Sequence, residues 1–322
     1  MYHLFFNRWF FFTKIWRYEL INWRIVHVKE SEILRLRLDN LEIVKKDNKY
    51  RIPISDISMV ILEGNRTKIT TKLLSSLSQN NVGLVICDDN YLPVGLYLPY
   101  GQYHHYSKRV IEQAAWTEKQ KGDAWQRIIK QKMDNQIAFA EYNGVEQDRL
   151  ELMKDLVDDL QSGDKTNREG PVAKVYFDSL YGNSFTRDND DVVNAAMNFG
   201  YAVIRSCMAR VVVGNGLVTM LGIFHRNEFN SFNLVDDLME PYRALMDYWI
   251  NTFVVSDEKY LSYEMRLKII KFMMQEIIVN GKKMKITNSM ESLVGSFIST
   301  MSSGELDTMI KIEFKNFVGV KE

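Results

Sequence analysis

The sequence predicts an α+β chain, in which an N-terminal β-rich domain is followed by a larger all-α C-terminal domain. Three observations predict it. From Trp23 to Leu98, short β-branched or alternating runs are separated by polar punctuation. From Tyr106 onward, apolar residues recur at helical spacing through long stretches. Between the two, Pro99-Tyr100-Gly101-Gln102 interrupts both patterns. The chain divides into an aromatic N-terminal extension (1–20), a β-rich domain (21–98), a linker (99–107) and an α-helical domain (108–322). A length of 322 residues suits one large or two ordinary domains, and 46% apolar residues suffice for their cores.

The extension is crowded with aromatic side chains, but Arg8, Lys14 and Arg17 interrupt every apolar run long enough to span a bilayer. It reads as an addition in front of the β-rich domain, not as a signal peptide or membrane segment. Lys plus Arg equals Asp plus Glu at 41 each, so net charge advertises no nucleic-acid partner, and such a partner must be sought in local patches. Cys87 and Cys207 lie in apolar runs and fit reduced, buried thiols of a cytoplasmic protein.

Strands are expected over Arg24–Val28, Ile33–Leu38, Leu41–Val44, Tyr50–Ile54 and Ile57–Leu62. Thr70 to Asn80 reads as a helix capped by Thr70 or Thr71, followed by strands at Val82–Cys87 and Val94–Leu98. In the helical part, Tyr106 to Phe139 interleaves Lys108, Lys119, Arg127 and Lys132 with Trp116 and Trp125. That pattern suits either a phosphate backbone or a solvated face with the tryptophans in the core. Leu150–Leu160 is an acidic amphipathic helix, ended by a loop at Ser162–Asn167. Pro171 then belongs to the first turn of the next helix, which puts Glu169 at its N-terminal end, where the helix dipole favours a carboxylate. A long helix over Asp191–Val213 stops at Gly214-Asn215-Gly216. Near the C-terminus, Lys259, Arg266, Lys268, Lys271 and the Lys282-Lys283-Lys285 cluster read as a second basic patch, or as a solvated helix and a charged hairpin; Ser289–Thr300 is a further helix.

Leu217 to Arg243 brings a histidine and several carboxylates close together. His225 closes an apolar run, Arg226–Ser231 is a loop, and Asn233 is placed to cap the helix that follows. Leu234, Leu238, Tyr242, Leu245 and Trp249 form its buried stripe, with Asp236, Glu240, Arg243 and Asp247 on another face. Pro241 either kinks this helix or starts a second one, and in both cases Glu240 stands at a break. The residues alone allow two readings: a metal or catalytic site, or a satisfied half-buried histidine beside a solvated acidic face. Glu169, His225 and Glu240 all lie at helix ends. Carboxylate oxygens with one imidazole suit Mg²⁺ or Mn²⁺ better than a sulfur-loving metal.

Glu169-Gly170 with Ala173 and Tyr176-Phe177, Asp191-Val192-Val193-Asn194-Ala195 with Phe199-Gly200-Tyr201-Ala202, Leu221-Gly222-Ile223-Phe224-His225, and Asp237-Leu238-Met239-Glu240-Pro241-Tyr242-Arg243 occur in that order. In residues and spacing they resemble the CRISPR adaptation integrase family, CRISPR-associated protein one. Glutamate at position 240 is most similar to members from type II systems. The resemblance implies that Glu169, His225 and Glu240 are the catalytic residues and hold Mg²⁺ or Mn²⁺. It also offers Asp236 and Asp237 as residues that orient the ligands, and Arg243, Tyr176 and Asn198 as residues that hold DNA phosphate or the motif helices.

The implied reaction is insertion of protospacer DNA into a CRISPR array, by attack of a 3′-hydroxyl on a repeat-edge phosphodiester. Endonuclease activity would follow if water replaced the hydroxyl. The implied partners are double-stranded DNA, a second copy of this chain paired through the β-rich domain, and the small dimeric CRISPR-associated protein two in a heterohexamer; the RNA-guided effector nuclease is a further candidate. Two competing functions stand beside this one: a metal-dependent nuclease of repair or decay, and a non-catalytic DNA-binding scaffold.

Overall fold

The computed structural model describes residues 24–318 except 30, 47, 65, 90–92, 101–105 and 255–258. The aromatic extension and the middle of the linker lie outside the described residues. The strands of the first part are β1 (Arg24–Val28), β2 (Ile33–Arg37), β3 (Asn40–Lys45), β4 (Asn48–Pro53), β5 (Ile57–Leu62), β6 (Lys68–Ile69), β7 (Gly83–Cys87) and β8 (Pro93–Tyr97), with helix α1 (Thr71–Gln79) between β6 and β7. They form two sheets, β4-β3-β2-β6 and β1-β5-β7-β8. In the second sheet β1, β5 and β7 are parallel and β8 is antiparallel. Every residue of β5 is buried. That is why its sequence is a nearly continuous apolar run and not an alternating one; its polar residue, Ser58, donates to the Arg24 carbonyl at 3.1 Å. The expected strand through Leu38 stops one residue earlier, because Leu38 and Asp39 take left-handed backbone angles (φ 48° and 56°) to make the tight β2-β3 turn.

The second part contains α2 (Tyr106–Ala114), α3 (Glu118–Tyr142), α4 (Gln147–Asp158), α5 (Glu169–Tyr181), α6 (Val192–Gly214), α7 (Asn233–Trp249), α8 (Tyr263–Lys271) and α9 (Ile286–Ser303). It is not wholly helical: β9 (Glu276–Val279) and β10 (Lys282–Lys285) form the hairpin that carries the lysine cluster. Local signals set the helix starts. Thr70 caps α1, Thr117 and Gln120 make a reciprocal capping box on α3, and the Asp191 carboxylate accepts the Asn194 N–H at 2.8 Å to start α6.

The sheet and the helices share one core. Met59, Ile61, Val85 and Cys87 belong to the same apolar cluster as the inner faces of α3, α6 and α7, while the sheet's other residues pack with Leu73 and Leu77 of α1. The Cys207 thiol lies 3.8 Å from the Met59 sulfur, and burial pushes both cysteine thiols up to about 12. Both are free and inert. An ionic contact also joins the two parts. Glu63, just after β5, accepts from Arg266 of α8 at 2.8 and 3.3 Å, and His27 of β1 lies 3.1 Å from the same carboxylate. Arg266 therefore belongs to the interior, not to the expected basic patch. Among the described residues, no helix is long and apolar enough to cross a membrane.

Candidate active site

Helix α7 is the centre of the site and differs from its expected form. It lies between α3 and α6, and every residue but Arg243 is buried, so the stripe-and-solvated-face reading gives way to a helix enclosed on nearly all sides. It does not break at Pro241 but runs unbroken to Trp249. The proline costs a backbone bond, and packing offsets that cost. Asn135 of α3 clamps this point, donating to the Pro241 carbonyl at 2.9 Å and to the Ile312 carbonyl at 2.8 Å. Asn233 does not cap the helix. Its amide donates instead to the Met220 and Asn227 carbonyls at 3.1 and 3.0 Å, tying down the loop before it.

Glu240 thus projects from an intact helix into a buried pocket, 2% exposed. One oxygen accepts from the Arg243 guanidinium at 2.9 Å, and the other lies 2.7 Å from the Lys132 ammonium. The same ammonium makes a very short hydrogen bond to Glu169. Burial alone would raise the Glu240 carboxyl, but the charges of Arg243 and Lys132 hold it below the usual range. For Lys132 burial acts downward, and the two carboxylates outweigh it. Glu169 is the first residue of α5, as its spacing to Pro171 predicts. The Asp164 carboxylate accepts the Arg168 and Glu169 N–H groups at 2.7 and 3.2 Å, and so fixes that helix start.

His225 sits on the loop before α7 with its side chain 36% exposed. Asp237, fully buried on α7, holds this loop. One of its oxygens takes the His225 ring Nδ1 at 2.7 Å and the His225 backbone N–H at 3.1 Å; the other takes the Ile223 and Phe224 N–H groups at 2.6 and 3.2 Å. The hydrogen bond to Asp237 raises the imidazole pKa against the opposing effect of burial. Gly222 makes the wrap sterically feasible. A β-carbon there would lie 2.4 Å from the His225 carbonyl and 2.9 Å from an Asp237 oxygen. Phe224 stacks on buried Trp125 of α3, with ring centroids 4.2 Å apart. His225 borders two cavities, one of about 410 Å³ along the 226–231 loop and one of about 310 Å³ shared with Asn198, Tyr201, Arg205, Asp236 and Arg243.

The other expected residues divide. Asp236 is engaged by Arg205 at 2.5 Å and Asn230 at 2.7 Å. Asn198 is exposed at the second cavity and accepts from Arg187 at 2.7 Å. Tyr176 is fully buried and donates to Asp247 at 3.0 Å, so it joins α5 to α7 and cannot touch a phosphate. Of the two readings of Tyr106–Phe139, the structure supports the solvated face with the tryptophans inward: Trp125 of α3 is in the core, and Trp116, just before α3, packs edge-on against Phe297. Lys119 and Lys130, on the outer face, pair with Asp123 and Asp134 one turn away.

Two contributors escaped the sequence reading. Lys132, one of the basic residues of Tyr106–Phe139, falls on the stripe of Trp125, Ile128 and Phe139 at helical spacing, and that placement is its signal. Asn135 lies on the same face.

Among the described residues no three His, Cys, Asp or Glu side chains are gathered as a metal cage. The space between Glu169 and Glu240 is filled by the Lys132 ammonium. The donor chemistry nevertheless fits a hard divalent cation. Two carboxylates already converge on one positive charge, the Glu240 oxygen facing it has no aligned hydrogen bond, and the second ring nitrogen of His225 has no partner among the described residues.

Comparison with known proteins follows the same lines. Residues 26–259 match the family model for CRISPR associated protein Cas1. The CRISPR-associated endonuclease Cas1 of Neisseria meningitidis serogroup C (strain 8013) is 34% identical over 281 residues, covering 86% of this chain and 91% of that protein. Among solved structures, a casposase bound to integration product superposes with a TM-score of 0.71 at 16% identity, covering 93% of this chain and 96% of the other. The chain is also similar in fold to a chain of the Cas6-RT-Cas1–Cas2 complex, with a TM-score of 0.71 at 18% identity, covering 92% of this chain and 36% of that one.

Proposed function

Since the chain belongs to the Cas1 family of CRISPR-associated proteins, we propose that it joins protospacer DNA to a CRISPR repeat by metal-dependent transesterification, with Glu169, His225 and Glu240 as the residues that hold the metal. The observation that carries the reading is the convergence of Glu169 and Glu240 on a single cation position, beside a histidine loop held by Asp237. Mg²⁺ or Mn²⁺ bound there would supply positive charge against the phosphoryl oxygens and the negative charge that develops in the transition state.

The chain's own residues do the rest. Asp237 holds the imidazole through Nδ1 in one orientation and one tautomer, which leaves the second ring nitrogen free to take a metal. Arg243 fixes the Glu240 carboxylate, and Asn135 fixes the helix turn that carries it. Arg205 and Arg243 line the cavity beside His225, where they offer positive charge to a phosphate backbone. In the reaction a DNA 3′-hydroxyl loses its proton and bonds to phosphorus, and the bond from that phosphorus to the repeat's own 3′-oxygen breaks. The leaving oxygen takes a proton, and the number of phosphodiesters is unchanged. No covalent protein intermediate is needed.

A second reading has one support: the Neisseria relative is named an endonuclease. With water in place of the 3′-hydroxyl, the same residues would cut. The partners of this reading are double-stranded DNA, a second copy of the chain paired through residues 21–98, and a Cas2-like dimer, in keeping with the Cas1–Cas2 composition of the structural relative. The test is strand transfer of a short 3′-hydroxyl duplex into a plasmid carrying a repeat array, with Mn²⁺ or Mg²⁺ and the small partner. Joined product that disappears in folded, DNA-binding Glu169→Ala, His225→Ala and Glu240→Ala supports the integrase. Cleavage without joining supports the nuclease, and joining that survives His225→Ala overturns the site.

A further inference from the structure

We propose that Lys132 is a built-in counter-ion that occupies the cation position between Glu169 and Glu240, and that a divalent metal binds there by displacing its ammonium. The inference rests on the assignment of Glu169 and Glu240 as metal ligands, and it adds that loading this site is an exchange of one cation for another.

Three features carry it. The ammonium contacts both carboxylates at once, at 2.7 Å from Glu240 and closer still to Glu169. Without it, two like charges would face each other in a largely water-free place, an arrangement that is strongly unfavourable. Lys132 is also held at this point by the fold. It lies on the inward stripe of α3, between Ile128 and Met133, which are fully buried, and next to Asn135, which grips α7 one residue past Glu240. Finally, Arg243 cannot take over the role. It is committed to the other oxygen of Glu240, and its guanidinium lies over the Tyr201 ring at 4.7 Å.

A dication between the same carboxylates would sit within a few ångströms of the ammonium, and their repulsion would expel the weaker ligand. The route out lies on the Glu169 side, where that side chain is 23% exposed. A lysine stem with four rotatable bonds can follow it without moving α3. The arrangement holds the two carboxylates aligned on one position in the metal-free protein, at the expense of metal affinity.

The experiment is a direct Mn²⁺ titration read by the electron paramagnetic resonance of free Mn²⁺, with no DNA present. It compares the wild type with Lys132→Met, Lys132→Gln and Glu240→Ala, and thermal unfolding is recorded with and without Mn²⁺. Removing the ammonium is expected to tighten Mn²⁺ binding by about 10-fold or more. The metal-free melting temperature of both lysine variants should fall below that of the wild type, and saturating Mn²⁺ should narrow the gap. Unchanged or weaker binding in both variants, while Glu240→Ala abolishes binding in an otherwise competent protein, overturns the exchange and leaves the metal site standing. No binding by wild type or either variant overturns both. Should Lys132→Met fold only in the presence of Mn²⁺, the exchange is supported; should both variants aggregate with and without Mn²⁺, the metal cannot replace the ammonium and the proposal fails.

Discussion

Asp237 and His225 are joined twice, ring to carboxylate at 2.7 Å and backbone to the same oxygen at 3.1 Å, while the second carboxylate oxygen binds the two residues before the histidine. One buried side chain therefore fixes both where the imidazole is and which way it points. A carboxylate has about four lone-pair sites, and this one uses all of them on a three-residue stretch.

Asp237→Ala should accordingly cost more than an ordinary buried polar deletion. It would strand three N–H groups that the loop cannot turn to water without unwinding, for a loss of about 3 kcal/mol or more. Asp237→Asn keeps one acceptor oxygen but points an NH₂ group at two N–H donors, and is expected to lose nearly as much. Urea unfolding checks both. A loss below about 1 kcal/mol in each would mean that the carboxylate is not what holds the loop.

His225 carries a pH prediction. Its hydrogen bond to Asp237 raises the imidazole pKa above the ordinary 6.5, with further help from the charges of Asp237, Glu240 and Asp236. A metal needs the ring nitrogen free of its proton, so Mn²⁺ affinity should climb as pH rises through a value above 6.5 and be poor below it. In Asp237→Asn the midpoint should move down. Mn²⁺ titrations from acid to mildly alkaline pH, with the imidazole C–H resonances followed by NMR, measure both. A pH-independent affinity would remove His225 from the ligand set.

Gly222→Ala tests the steric side of the same motif. The added methyl meets a backbone carbonyl at 2.4 Å and the Asn233 β-carbon at 2.9 Å, and neither neighbour is a flexible side-chain end. The loop must open to admit it. Strand transfer should fall at least as far as in His225→Ala, together with a lower melting temperature; wild-type activity in the alanine variant would show that the loop can open around the methyl without losing the site.

Much of the site was legible because its elements have local signals. Pro171 in a first turn put Glu169 at a helix end, and the Leu221–His225 and Asp237–Arg243 stretches carried the family resemblance. What was not legible depends on which side of a helix faces inward. Lys132 and Arg266 look like any other surface cations, and only tertiary placement turns the first toward two carboxylates and the second toward Glu63. Of the two alternatives at Pro241, a second helix starting there is not what forms: an enclosed helix gripped by Asn135 continues through the proline.

Asp247 makes a prediction about stability. It is buried on α7 with Tyr176 and Tyr201 donating to it at 3.0 and 2.5 Å, and burial outweighs those bonds to raise its pKa to about 6. The unfolded chain releases this proton near the ordinary 3.8. Between those values the folded state holds a proton that the unfolded state has lost, so stability should decline as pH rises through that window, by an amount on the order of 3 kcal/mol, and level off above it. Asp247→Asn cannot titrate and should flatten that segment of the profile. Chemical denaturation at half-unit pH steps decides the matter; an unchanged slope in the variant would show that Asp247 is ionised throughout.

The contact between the sheet and the helices is the last test. Burial alone would raise the Glu63 carboxyl, but His27 and Arg266 hold it below the usual range, so it is an ionised group inside the protein. Removing Arg266 leaves the buried Glu63 carboxylate with His27 alone, and removing the Glu63 charge leaves a buried guanidinium without its carboxylate. Arg266→Met and Glu63→Gln should each destabilise the chain by about 3–5 kcal/mol. The double variant should lose much less than the sum of the two, because the second change removes the charge that the first one stranded. Single and double variants compared by urea unfolding give the coupling directly. Additive losses would mean that the two side chains act separately, and that the pair adds no coupling to the apolar core the sheet and the helical part share around Met59 and Cys207.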